Sequence, residues 1–188
     1  MIHADKPMSF TERFEDRERG IMIGKGTKIE PGAVIYDGCV IGEGCIIGTS
    51  AVLKQGTKLG DHSVFGTLSA TEGGTKIGSW TTIFSQCHLT ADMEVGDRVF
   101  VGPLFYCANT PQVSRGRFGY PNSTHDTRMT PAIRDGARLG AHVGLAPGVV
   151  VGENAMIDMG CLVTKDVPAG ARVRAGSEIT GRVIGAAD

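Results

Sequence analysis

No apolar run among the 188 residues is long enough to cross a bilayer, and the N-terminus has no apolar stretch of the kind that opens a secretory leader. A soluble cytoplasmic protein is the expectation. Neither charge sign is in excess, with 19 Lys and Arg against 20 Asp and Glu, so composition gives no case for a nucleic-acid or membrane-surface partner. Aromatics are only 6% of the chain, with one Trp. There are five cysteines and no C-x-x-C pair, which removes the usual spacing of zinc and thiol-redox sites. No helical period of 3.6 runs through the centre of the chain either.

A period of six takes its place. Counting in sixes from Ile23 to Val101 meets Ile23, Ile29, Ile35, Ile41, Ile47, Leu53, Leu59, Phe65, Thr71, Ile77, Ile83, Leu89, Val95 and Val101, and only Thr71 is not hydrophobic. Four residues after each of these rungs lies a second slot filled mostly by Ala, Ser, Thr or Cys, for example Thr27, Ala33, Cys39 and Cys45. Glycines keep the same phase, one or three places after a rung, and Gly73 alone falls out of it between Ile23 and Tyr106. Six is a multiple of the strand period of two and does not fit a helix. Each unit therefore reads as a short strand with one large inward side chain, then a corner where small residues let the backbone turn. Such units bury nothing alone and must stack into a solenoid. The fold class expected is all-β, a parallel β-helix. Cys39, Cys45, Cys87 and Cys161 occupy the small slot and Cys107 a rung, so all five read as buried filler.

The rungs continue to Cys107, lose phase, and resume at Ile133, Leu139, Leu145, Val151, Ile157 and Val163. The interval from Cys107 to Ile133 is twenty residues longer than one unit needs. With three units per coil this makes about seven coils, standing roughly 30 Å tall at a coil spacing of ~4.8 Å. The insertion, 108–132, is rich in Gly and Pro and holds Arg115, Arg117, His125 and Arg128; a loop of this length on a rigid scaffold is a candidate functional element. Before the ladder, residues 1–20 form a capping segment. Ser9-Phe10-Thr11-Glu12 has capping-box spacing, and Phe10 and Phe14 lie four apart, which predicts a short helix from Phe10 to Arg19 covering the open end of the solenoid. The tail after Val163 is expected to finish the last coil and run back along it.

This ladder resembles the hexapeptide-repeat, left-handed β-helix proteins, most of which are acyltransferases using acetyl-CoA. The stretch "LGAHVGLAPGVVVGENAMIDMGCLVTKDVPAG" is similar to the thioester-binding end of such acetyltransferases. Within "VGPLFYCANT", Asn109 lies six places after the Gly102-Pro103 pair and just before the insertion, which is similar to nucleotide-sugar N-acetyltransferases that acylate a 3-amino group. Galactoside-type O-acetyltransferases carry a catalytic histidine three places further on, where this chain has Gln112. A 4-amino-sugar branch has its histidine where this chain has Ala91. Two departures stand out: Cys107-Ala108-Asn109-Thr110 replaces the common Phe-Thr-Asn-Asp, and "AGSEITGR" replaces the closing "GNPAR".

The resemblance implies the left-handed coil, a homotrimer with sites between subunits, acetyl-CoA as cosubstrate, and a UDP- or dTDP-linked amino sugar as acceptor. It places Asn109 at the substrate amine, the backbone N–H of Ala141 at the acyl carbonyl, and Gly160, Thr164 and Lys165 along pantetheine and adenosine. Arg172 and Arg174 are candidates for CoA phosphates. Tyr106, His125, Arg128 and Arg134, on or flanking the insertion, are candidates for the sugar nucleotide. His142, next to Ala141, is a candidate general base, whereas His62 and His88 sit beside rungs and read as exposed face residues. No metal ligand set is expected. An amine beside electron-withdrawing ring oxygens titrates near an α-amino group, about 8, so part of it is already neutral and a strong base is optional. Asparagine also suits a solenoid corner because it tolerates a left-handed backbone, which is the structural alternative for Asn109.

Three other functions use the same scaffold. A sugar O-acetyltransferase is the nearest. A γ-class carbonic anhydrase needs three histidines converging on zinc, and the five histidines here lack that family's close pair. A non-catalytic solenoid has no use for the insertion.

Overall fold

The computed structural model describes residues 1–111 and 128–175. These residues form a left-handed parallel β-solenoid with three flat faces, seven complete coils and the start of an eighth. Its strands are mostly two residues long, too short to accumulate the twist that otherwise favours right-handed crossovers. The rungs define the faces. Ile23, Ile41, Leu59, Ile77, Val95, Ile133 and Val151 stack on the first; Ile29, Ile47, Phe65, Ile83, Val101, Leu139 and Ile157 on the second; Ile35, Leu53, Thr71, Leu89, Cys107, Leu145 and Val163 on the third. All of these side chains are buried, each aliphatic one worth about 1.5–3 kcal/mol. The 1/2, 2/3 and 3/1 corners join these faces. Val167 bridges to Val151, and the strand Arg172–Val173 pairs with Met156–Ile157, so the tail begins coil eight; the tail beyond 175 lies outside the described residues.

The second slot does more than fill space. Thr27, Ser63 and Thr81 each donate a hydroxyl to a carbonyl of the following coil, at 2.8, 2.9 and 2.8 Å, and Thr81 N–H in turn donates to the Ser63 oxygen at 3.0 Å. Cys45 and Cys87 make the same contact through sulfur, to the carbonyls of Gly60 and Gly102. Among the described residues no buried side-chain nitrogen or oxygen lacks a partner. Burial pushes all five thiols above the ordinary cysteine range. A folded state that resists thiolate formation loses stability as pH rises past about 8.5, where unfolded cysteines ionise. The urea midpoint is therefore expected to fall between pH 8 and pH 10, and an aromatic disulfide reagent at pH 8 to label no thiol natively and all five in denaturant.

The N-terminal helix is not formed. Residues 1–20 instead lay three strands, β1 (Ile2–His3), β2 (Met8–Ser9) and β3 (Phe14–Asp16), antiparallel against the first coil, with Ile2 opposite Ile35, Met8 opposite Ile29 and Phe14 opposite Ile23 in β4 (Ile21–Ile23). Ile2, Met8 and Phe14 are themselves six apart, so the hexad continues ahead of the ladder in reverse direction. The open edge of coil one explains the outcome: its unpaired backbone groups need strand partners, and a helix supplies none. Phe10, taken as the start of the helix, donates N–H to Thr27 O at 3.0 Å and accepts from Gly26. The Phe10–Phe14 contact does exist, at 5.5 Å between ring centroids, on extended chain.

Candidate functional site

The insertion opens and closes on the 3/1 corner. In the regular coils the corner residue hydrogen-bonds back one coil, as Gly74 N–H does to Gln55 O. At the insertion Gly148 N–H donates to Met129 O, and Met129 N–H donates to Asn109 O at 2.8 Å. Met129 thus takes the ladder position, and Asn109 to Arg128 are the extra residues. Asn109 is half-buried, accepts the Thr110 hydroxyl on Oδ1 at 3.2 Å, and does not have a positive φ. The structural alternative for this asparagine, a left-handed corner, therefore does not apply. Around the same corner Arg128 meets Asp92 at 3.5 Å, and the Thr130 hydroxyl donates to Ala91 O at 3.3 Å. The third-face sheet parts just above, where Thr90 N–H reaches the sulfur of Cys107 in place of a backbone carbonyl.

His142 and Ala141 lie on the 2/3 corner, across the third face from Asn109. His142 has φ +59 and donates N–H to Pro103 O at 2.7 Å. Its ring stands edge-on to Tyr106, with centroids 6.0 Å apart. Tyr106 lies over Gly144, where a Cβ would come within 2.5 Å of the ring, so the glycine makes room for the phenol. Within one chain the structure therefore joins His142 to Tyr106 and separates His142 from Asn109.

The corners differ in how their turn N–H groups are capped. On the 1/2 corner the turn N–H groups of Glu43, Asp61, Ser79 and Asp97 are capped by oxygens of Asp61, Ser79, Asp97 and Asp135 from the next coil, at 2.7–3.1 Å. On the 2/3 corner the residue stacked under Ala141 is Met159, which has no oxygen in its side chain to offer. Gly160 N–H donates to Ala141 O at 2.9 Å, and beside it Arg172 places Nε and Nη2 on one oxygen of Asp158 at 3.1 and 2.9 Å. Arg174 follows at the start of coil eight. Ala141, Gly160, Arg172 and Arg174 therefore share the lower 2/3 corner and the face beside it. Thr164 and Lys165 are exposed on the 3/1 corner instead, in the coils below Asn109.

Arg134 is on the first face, 3.8 Å from Glu94, which also binds Lys76 at 3.1 Å. The three belong to a shallow groove of about 300 Å³ shared with Asp97 and Asp135, in which charges of opposite sign largely cancel. His125 lies outside the described residues, as do Arg115 and Arg117. Among the described residues no three His, Cys, Asp or Glu side chains converge as metal ligands, and no helix is long and apolar enough to cross a membrane.

Sequence spacing missed a pair on the third face. Glu72 and His88 are sixteen residues apart in the sequence, yet the carboxylate and imidazole lie 3.5 Å from each other. Reading the chain in columns of one coil, eighteen residues, would have placed them in adjacent coils two columns apart, since His88 stacks on Ala70.

Two families of repeats match the chain: "Bacterial transferase hexapeptide (six repeats)" over residues 20–55 and "Hexapeptide repeat of succinyl-transferase" over residues 133–165. No curated protein matches it. Among solved structures, a point variant of AntD, an N-acyltransferase from Bacillus cereus bound to dTDP-4-amino-4,6-dideoxyglucose and coenzyme A, is 17% identical with a TM-score of 0.57, over 88% of this chain and 86% of that one. The UDP-N-acetylglucosamine acyltransferase from Campylobacter jejuni is 17% identical with a TM-score of 0.51, over 82% and 67%. That of Francisella novicida is 20% identical with a TM-score of 0.48, over 80% of this chain; the chain spans 66% of that enzyme's length, just under two thirds. At these identities the likeness is one of fold.

Proposed function

We propose that this chain, a hexapeptide-repeat protein by its sequence and its coil, is an acyl-CoA-dependent N-acyltransferase that acetylates the amino group of a UDP- or dTDP-linked amino sugar. The observation that carries the reading is the insertion, which breaks an otherwise regular ladder at one corner and opens on a half-buried asparagine whose backbone carbonyl closes the loop and whose side-chain oxygen accepts the Thr110 hydroxyl. Asn109 Oδ1 accepts a hydrogen bond from the substrate amine and aims its lone pair at the thioester carbonyl. The Ala141 N–H, uncapped by the coil below, meets the developing oxyanion. Gly160, Thr164 and Lys165 follow the pantetheine and adenosine, with Arg172 and Arg174 near the phosphates; Tyr106, Arg128, Arg134 and His125 are assigned to the sugar nucleotide. The amino-sugar and coenzyme A ligands of AntD support this choice of acceptor and donor. Amine-dependent thiol release from acetyl-CoA tests it.

Asn109 and Ala141 lie on different corners, so one active site draws them from two subunits, in keeping with a homotrimer. The second face supports that assembly. Over coils two to five it presents Ile46, Val64, Thr82, Phe84 and Phe100, with no charged side chain, and Trp80, Leu68 and Leu104 stand exposed at its two corners. The first face carries Lys58, Lys76 and Glu94 over the same height, and the third Lys54, Glu72 and His88. An apolar patch of this extent marks an interface. Phe100→Glu is expected to convert the assembly to monomer in sedimentation and to remove thiol release, while the melting of each monomer remains cooperative.

A further inference from the structure

The insertion takes Asn109 out of the ladder. Along the 3/1 corner each coil bonds to the one above through main-chain groups, Gly56 N–H to Asp37 O at 3.1 Å, Gly74 N–H to Gln55 O at 2.9 Å and Asp92 N–H to Gly73 O at 2.9 Å. Eighteen residues on from that last pair, the acceptor is Ala91 O and the donor in phase is Thr110. The chain leaves the corner there. Counting back from the rung Ile133 puts Met129 and Thr130 in the two corner places that Asn109 and Thr110 give up, and Thr130 donates its side-chain hydroxyl to Ala91 O at 3.3 Å.

A short chain of bonds then holds Asn109. Its carbonyl accepts Met129 N–H at 2.8 Å, and the next residue, the half-buried Thr130, ties this returning arm to Ala91. Ala91 is itself held from above, because Glu72, one coil higher, accepts its N–H on Oε2 at 3.0 Å. With both main-chain groups bonded, Ala91 is a firm anchor. The other contacts at this corner anchor less. Arg128 and Asp92 are exposed side chains 3.5 Å apart, an ion pair of the kind that contributes little, and the Thr110 hydroxyl joins Asn109 only to its own neighbour.

We propose that Thr130 is a positioning residue for acyl transfer: through Met129 its hydroxyl sets where Asn109 stands, and Glu72 steadies the Ala91 main chain that receives it. The inference rests on the N-acyltransferase reading, in which Asn109 Oδ1 holds the substrate amine. Thr130 touches neither substrate in this arrangement. It acts by holding the backbone from which the asparagine side chain projects. A reacting group displaced by ~1 Å loses on the order of 100-fold in rate, so one hydroxyl in this chain of contacts bears on turnover far more than on stability.

The test is steady-state thiol release from acetyl-CoA with a nucleotide-linked amino sugar, for the wild type, Thr130→Val, Thr130→Ser, Asn109→Ala and the double variant Asn109→Ala with Thr130→Val, each checked for melting temperature and CoA binding. Thr130→Val keeps the shape of the side chain and removes the donor. It is expected to lower kcat about 10-fold, with KM for acetyl-CoA and melting temperature close to those of the wild type, and Thr130→Ser is expected to restore most of the rate. Residues that act through one another are not additive, so in the Asn109→Ala background Thr130→Val is expected to lower kcat no further. Wild-type kcat in Thr130→Val, an equal loss in Thr130→Ser, or a loss in the double variant as large as in the wild-type background overturns the proposal while leaving a slow Asn109→Ala, and with it the reading above, intact. A wild type that binds CoA yet releases no thiol with any amino acceptor overturns the acyltransferase reading itself and the inference that rests on it.

Discussion

Asn109→Ala is expected to reduce kcat/KM for thiol release by a factor on the order of 10²–10³, the range seen when one oriented hydrogen-bonding group at a reacting centre is removed. The structure makes the substitution clean. The bond that closes the insertion uses the backbone carbonyl of Asn109, accepting from Met129 N–H at 2.8 Å, and alanine keeps it. Among the described residues the side-chain oxygen is tied only to the Thr110 hydroxyl next to it, and the backbone is not in the left-handed region, so no conformational preference of asparagine is lost. Melting temperature and oligomeric state are expected to stay near those of the wild type while turnover falls. Retained activity in this variant together with abolished activity in His142→Ala moves the chemistry to the Tyr106–His142 cluster on the far corner of the same face.

Gly66→Ala is expected to cost the fold about 3 kcal/mol or more, read as a drop in the urea midpoint. Gly66 does not need glycine for its dihedral angles. It needs glycine for space, because a Cβ there would stand 2.5 Å from the Phe84 carbonyl carbon and oxygen and 2.8 Å from Ser85 N. Those are backbone atoms of the next coil, and no side chain can swing aside to relieve them. The coils must part, and the hydrogen bond from Gly66 N–H to Ile83 O, 2.8 Å, is the one that stretches. Gly73 is the control. It is out of phase with the repeat, its Cβ would meet only Gln55 O at 3.4 Å, and Gly73→Ala is expected to be neutral or slightly stabilising. A result in which both alanines cost the same would remove close coil packing as the reason for the in-phase glycines.

Much of this was visible in the sequence because a solenoid repeats its own environment. Thirteen hydrophobic rungs and Thr71 met thirteen buried side chains and a buried threonine, and the count of twenty extra residues agrees with the chain leaving at Asn109 and rejoining the ladder at Met129. The N-terminal segment departs from the helix its spacing predicts because two periods compete there. Phe10 and Phe14 fit a helix, whereas Ile2, Met8 and Phe14 fit the hexad, and the unpaired edge of coil one decides between them, which is a tertiary demand that local spacing does not carry. The hydroxyl ladder through Thr27, Ser63 and Thr81 is hidden behind residue size, since a small residue at a corner is already accounted for by the turn. The Glu72–His88 pair and the distance between Asn109 and His142 depend on which corner each residue occupies, a property of the position within the eighteen-residue coil and not of neighbours in sequence.

The most direct measurement is thiol release from acetyl-CoA by the wild-type protein against UDP- and dTDP-linked sugars that differ only in carrying an amino or a hydroxyl group, at ring positions three and four. Release that requires an amino sugar, and that disappears in Asn109→Ala, is the expected result. Equal release with the hydroxy sugars, or none with any amino sugar while CoA still binds, contradicts the account.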